Sequence, residues 1–193
     1  VGGILEEIIG EAYMEKLLVD TRPMAKSKAA RKVYDGGGYG ALENLRRKVM
    51  GEPEMCGHLD FGEPDAEQSA WVSLLMNGTF GVQDLHKPVA SWMNQREWVK
   101  LLEEAVKSAD MYNPYAWLQL GMLRLSEMNT RDAKEALDRS MVLERSAWAL
   151  WGLAQVENLA GRTKEGALMV MRASLMQPDD LSLAKEAVRV LNA

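Results

Sequence analysis

A single cysteine, Cys56, stands in a chain of 193 residues, so no internal disulfide can form. That favours a reducing compartment, and a cytoplasmic location is the expectation. Histidine is limited to His58 and His86. Cys56, His58 and Asp60 alternate within one loop, without the helical or paired-cysteine spacing that a metal site needs. Residues two apart in a loop also lack the geometry of a nucleophile with its base and orienting group. No catalytic residue, metal or cofactor is therefore expected. No apolar run reaches the roughly 18 residues of a membrane-spanning helix. No charged leader with an apolar stretch and cleavage signature opens the chain, and a start at Val1 reads as a piece or processed form of something longer.

The material that is present suits a packed globular core: 47% of residues are hydrophobic and 26% charged. The net charge of -5 argues against nucleic acid as a partner. Charge is unevenly spread. Residues 22–48 concentrate Lys and Arg, and residues 49–68 carry acids without a single Lys or Arg. These stretches read as solvated faces that meet each other, or as a patch for an acidic partner centred on Lys26, Lys28, Arg31 and Lys32. Thirteen methionines fall mostly near apolar stripes, as gap-fillers of a helical core.

Periodicity along the chain is helical throughout, and no period-2 segment argues for a sheet. Helices are expected over 4–18, 23–34 and 41–50, with Gly-rich 35–40 as a hinge between the last two. The loop 51–64, rich in Gly and Pro, marks a boundary, giving an N-terminal helical region 1–64 and a second region 65–193. Further helices are expected over 66–76, in a short piece begun by Pro88 and carrying Val89 and Trp92, and over 95–110. A closing helix over 180–191 should turn Leu181, Ala184, Val188 and Leu191 inward and present a polar outer face.

The C-terminal half is self-similar at a spacing of 33 residues. Trp117 matches Leu150, Leu120 matches Leu153, Gly121 matches Ala154, Ala133 matches Gly166, Leu137 matches Val170 and Ser140 matches Ala173. Large residues recur at large positions and small at small, the signature of helix pairs that cross closely and stack. On these residues, with Gly161 at a turn and Pro178 at an end, the stretch 114–178 resembles the tetratricopeptide repeat. It departs where the late aromatic of the first helix is Arg124 or Glu157, and where Glu144-Arg145 replaces a closing Pro. The looser resemblance runs from 96 to 191. It implies an all-α solenoid of helix-turn-helix repeats, preceded here by additional N-terminal helices.

The resemblance also implies a concave groove lined by the first helix of each unit. Its positions map to Tyr115, Leu118, Gln119, Met122 and Leu125, then Trp148, Trp151, Gln155 and Asn158. Spacing alone puts Trp148, Trp151, Gln155 and Asn158 on one stripe. They can grip a partner, or be buried by the N-terminal half of the chain. No Lys or Arg occupies these positions, so a clamp for a peptide C-terminal carboxylate is not expected. The expected function is a non-catalytic interaction or scaffold module that binds a protein or peptide segment in this groove. The alternative is a helical accessory domain of a larger enzyme or carbohydrate-related bacterial protein.

Overall fold

The computed structural model describes residues 39–55, 61–64, 66–81, 83–89 and 91–191. Among these, all regular structure is helical, with eight α-helices, one 3-10 turn and no strand. No described helix is long and apolar enough to cross a membrane. The helices expected over 4–18 and 23–34, the basic patch Lys26, Lys28, Arg31 and Lys32, and the loop trio Cys56, His58 and Asp60 lie outside the described residues. The chain forms two compact units, residues 1–77 and 78–193.

In the first unit, helix α1 (Tyr39–Met50) buries Leu42, and helix α2 (Ser69–Asn77) buries Trp71 and Leu74. A 3-10 turn at Ala66–Gln68 leads into α2. Among the described residues the basic and acidic stretches meet through Arg46, which is buried and bridges a buried Glu43 of its own stretch to a half-exposed Glu52 of the other. Arg46, only 6% exposed, places Nη2 2.9 Å from Glu43 Oε1 and 2.7 Å from Glu52 Oε2. Arg47 adds a second cation 3.1 Å from the buried Glu43. A buried guanidinium is tolerable only with such partners.

The second unit opens with helix α3 (Arg96–Lys107), whose apolar stripe buries Trp98, Leu102 and Val106. Two helical hairpins follow. Helices α4 (Pro114–Ser126) and α5 (Thr130–Leu143) form the first, and α6 (Ala147–Leu159) and α7 (Thr163–Met176) the second. Every boundary of the second hairpin falls 33 residues after its counterpart in the first. Local chemistry sets these starts. Asn113 Oδ1 accepts from the Tyr115 and Ala116 amides at 3.1 and 3.2 Å. Ser146 Oγ accepts from Trp148 and Ala149 at 3.2 and 3.3 Å. Both relieve the donors that a helix start leaves without partners.

Each hairpin has a glycine at a close helix approach: Gly121 against Leu137, and Gly166 against Asn158 and Ala154. A Cβ at Gly121 would come within 2.6 Å of Leu137 Cγ, and one at Gly166 within 2.9 Å of the Ala154 carbonyl. Ala133 and Ala154 are fully buried. Leu137 also reaches toward Gly152, where Met122 Sδ approaches, so one side chain ties the two hairpins together. Helix α8 (Leu181–Leu191) packs on α7 at the end of the array.

Two expectations need correction. No helix starts at Pro88, because the described residues of 78–95 are extended or turned. Phe80, Leu85, Val89 and Met93 are buried there, and distant side chains satisfy several of the backbone carbonyls. In α8 the inward residue is Leu183, with Ala184, Ala187 and Val190 half-buried beside it. Leu181, Val188 and Leu191 are exposed instead, at 74%, 58% and 64%, so the outer surface is polar only in part. The helix is amphipathic, with Ser182, Lys185, Glu186 and Arg189 on one side, but packing against α7 buries only the Leu183 edge of its broad apolar side.

Candidate binding groove

The residues expected to line the groove come from α4 and α6, and the structure separates them into a covered part and a half-open part. Tyr115, Leu118, Gln119, Met122 and Trp148 are buried, whereas Trp151, Gln155 and Asn158 remain half-buried. Met122 is 5% exposed and belongs to the packing between hairpins.

The covering comes partly from the chain itself. Gln119, 1% exposed, donates from Nε2 to the Ser91 carbonyl at 2.9 Å. Asn113 Nδ2 donates to the Phe80 carbonyl at 2.8 Å, and Ser146 Oγ to the Leu85 carbonyl at 3.0 Å. Gln177 Nε2 donates to the His86 carbonyl. The residues that cap α4 and α6 thus hold a non-helical segment by its backbone, and Gln119 holds its far end. The Phe80 and Tyr115 rings stack with centroids 5.9 Å apart, and burial pushes the Tyr115 hydroxyl up to about 12. Segment 79–93 behaves toward this face as a bound peptide would.

On α6 the chemistry is different. The indole nitrogens of Trp148 and Trp151 and Nε2 of Gln155 are all buried and have no hydrogen-bond partner. The two indoles meet edge to face, centroids 5.9 Å apart. Spacing of three and four residues puts the three donors on one side of the helix. A buried donor left without an acceptor costs about 1–3 kcal/mol, so three on one stripe are a strong feature.

Next to them lies a cavity of about 600 Å³ lined by Gln155, Asn158, Thr163, Lys164, Ala167, Arg189 and Val190. Among the described residues Lys164 forms no ion pair, and Arg189 is engaged by Glu186 at 2.9 Å. The sequence reading missed both cations. One lies at the start of a second helix and the other on the terminal helix, and only tertiary packing brings them to the end of the Trp151 stripe. Among the described residues no group of three or more His, Cys, Asp or Glu could hold a metal.

Compared with family models, with curated proteins and with solved structures, the chain matches none.

Proposed function

We propose that this chain is a non-catalytic interaction module whose C-terminal half is a short tetratricopeptide-like solenoid. In this reading it holds an extended segment of a partner protein along α6. The single observation that carries it is the half-open stripe of Trp151, Gln155 and Asn158 on α6, where the donors of Trp151 and Gln155 find no acceptor among the described residues and stay covered until a segment displaces their cover. Backbone carbonyls of an extended peptide are the matching acceptors, and such segments commonly bind through main-chain bonds with side-chain pockets. The way α4 engages segment 79–93, through Gln119 and Asn113 to carbonyl oxygens, supplies the template. The matched helix offsets and the glycine at a close helix approach in each hairpin support the repeat assignment.

Site-specific photo-crosslinking from position 164, exposed beside the end of the stripe, tests the proposal, with mass spectrometry of the adducts. The background is either wild type or Trp151→Ala/Gln155→Ala, and each is first shown folded by circular dichroism. A partner segment captured by the wild type and lost in the double variant sustains the reading. The same adducts from both, or none from the folded wild type, overturn it.

A further inference from the structure

A second cavity, of about 630 Å³, opens in the same unit where segment 79–86 passes the start of α4 and the end of α5. Its lining includes Asp84, Asp110, Tyr112, Tyr115 and Glu144, with His86, and no Lys or Arg among the described residues. Glu144 is exposed and forms no ion pair. Asp84 is half-exposed; its Oδ1 accepts from the His86 amide at 2.9 Å, and its nearest cation is Lys87 Nζ at 3.9 Å. Asp110 is 6% exposed, and N–H groups alone bind it: the Phe80 amide, and Asn113 Nδ2 at 3.1 Å. A buried carboxylate without a counter-cation is costly, and one held by neutral donors still lacks that partner.

Acidic side chains in a cleft do not by themselves make a site, but Tyr115 adds an independent feature. Its side chain is 93% buried, since its exposure is 7%, yet its hydroxyl makes no hydrogen bond within the protein. It is a polar end that reaches the cavity without a partner among the described residues. Beside it, Phe80 stacks on the Tyr115 ring and is 2% exposed, so the aromatic face most open to the cavity is that of Tyr112, which is 77% exposed. A planar cation can lie on such faces while its edge meets carboxylates and a hydroxyl oxygen. The dipole of α4 opposes a cation here, but the Asn113 cap already satisfies that helix start. The C-terminal end of α5, beside Glu144, favours one.

We propose that this cavity is a guanidinium-binding site, with Glu144 and Asp84 as the charge partners and the Tyr115 hydroxyl as an acceptor. It is distinct from the α6 stripe and does not depend on it. The guanidinium can belong to an arginine side chain of a protein or to a free small molecule, and the test separates the two.

The probes are N-acetyl-arginine-methylamide, its neutral isostere N-acetyl-citrulline-methylamide, and agmatine. Each is titrated into the intact chain and followed by amide chemical shifts. The arginine probe should give saturable shifts at residues 80–86, 110–115 and 144, weakened by salt, and the citrulline probe should give none. Glu144→Gln should weaken binding about tenfold, the effect of losing one charge-assisted bond. Tyr115→Phe keeps the ring and should weaken it by less. A tighter arginine amide than agmatine assigns a peptide side chain as the source, and the reverse order assigns a small molecule. Equal response to citrulline, no saturable shift up to the solubility of the arginine probe, or unchanged affinity in Glu144→Gln overturns the proposal.

Discussion

The inner helices of the two hairpins, α4 and α6, have the same length and the same kind of cap, and they have opposite surroundings. At matched positions α4 carries Leu118 and Met122, where α6 carries Trp151 and Gln155. The α4 pair has no strong donors and is buried in the molecule as it stands. The α6 pair brings two donors that find no acceptor. Where α4 does place a polar side chain inward, at Gln119, the Ser91 carbonyl meets it. The scaffold repeats, and what differs is whether this chain supplies the acceptors. That asymmetry separates a face completed within the molecule from one that an outside segment would complete.

The largest test breaks the scaffold common to both hairpins. Ala133 and Ala173 are fully buried on α5 and α7, at sites where neighbouring helices leave no room. Ala133→Trp or Ala173→Trp should each lower stability by about 3 kcal/mol or more, read by chemical denaturation. If either variant unfolds like wild type, the two outer helices are not equivalently packed, and the comparison loses its common frame.

A smaller test strikes the completed face alone. Gln119→Leu removes the donor to Ser91 and leaves a buried carbonyl without its partner. The expected loss is about 2 kcal/mol. An unchanged midpoint would mean that segment 79–93 is held by its buried apolar residues and not through its backbone.

The helices beyond residue 95 are legible from the apolar stripe of α3 and from the 33-residue spacing, which fixes the second pair from the first. Segment 79–93 is not. Pro88 followed by Val89 and Trp92 has the local look of a helix start, and local pattern is what sequence reading uses. The bonds that keep it extended come from Asn113, Gln119, Ser146 and Gln177, which lie 28 to 91 residues away in the chain. For the same reason the Trp148 stripe could be drawn as a line of residues, while the lack of acceptors around it could not. Leu181, Val188 and Leu191 misled differently: the apolar side of this helix is broader than the surface α7 offers, and its width does not announce which edge will be buried.

Tyr115 gives a test on alkaline titration. Its hydroxyl is raised by desolvation from the ordinary value of 10.0 to about 12. The unfolded chain therefore loses this proton first as pH rises. The stabilisation is complete below pH 10 and is lost as pH climbs through 12. Wild type should lose about 1–2 kcal/mol over that interval relative to Tyr115→Phe, after allowing for a hydroxyl that still reaches the cavity. Parallel curves for the two proteins would mean that the ring is not enclosed by Phe80 and segment 79–86.

The smallest expected effect is the most discriminating. Gln155→Leu is the counterpart of Gln119→Leu, an amide traded for an alkyl group on the inner face of the next hairpin. Its Nε2 has no bond to lose, and removing a buried unsatisfied donor relieves its desolvation penalty. In the isolated chain the variant should be as stable as wild type or more stable, by up to about 1 kcal/mol. The two glutamine substitutions would then differ in sign as well as size. A loss in Gln155→Leu comparable to that in Gln119→Leu would show that the amide has a partner in solution. The α6 face would then be completed from within, like α4, and the case for an outside segment along it would fall.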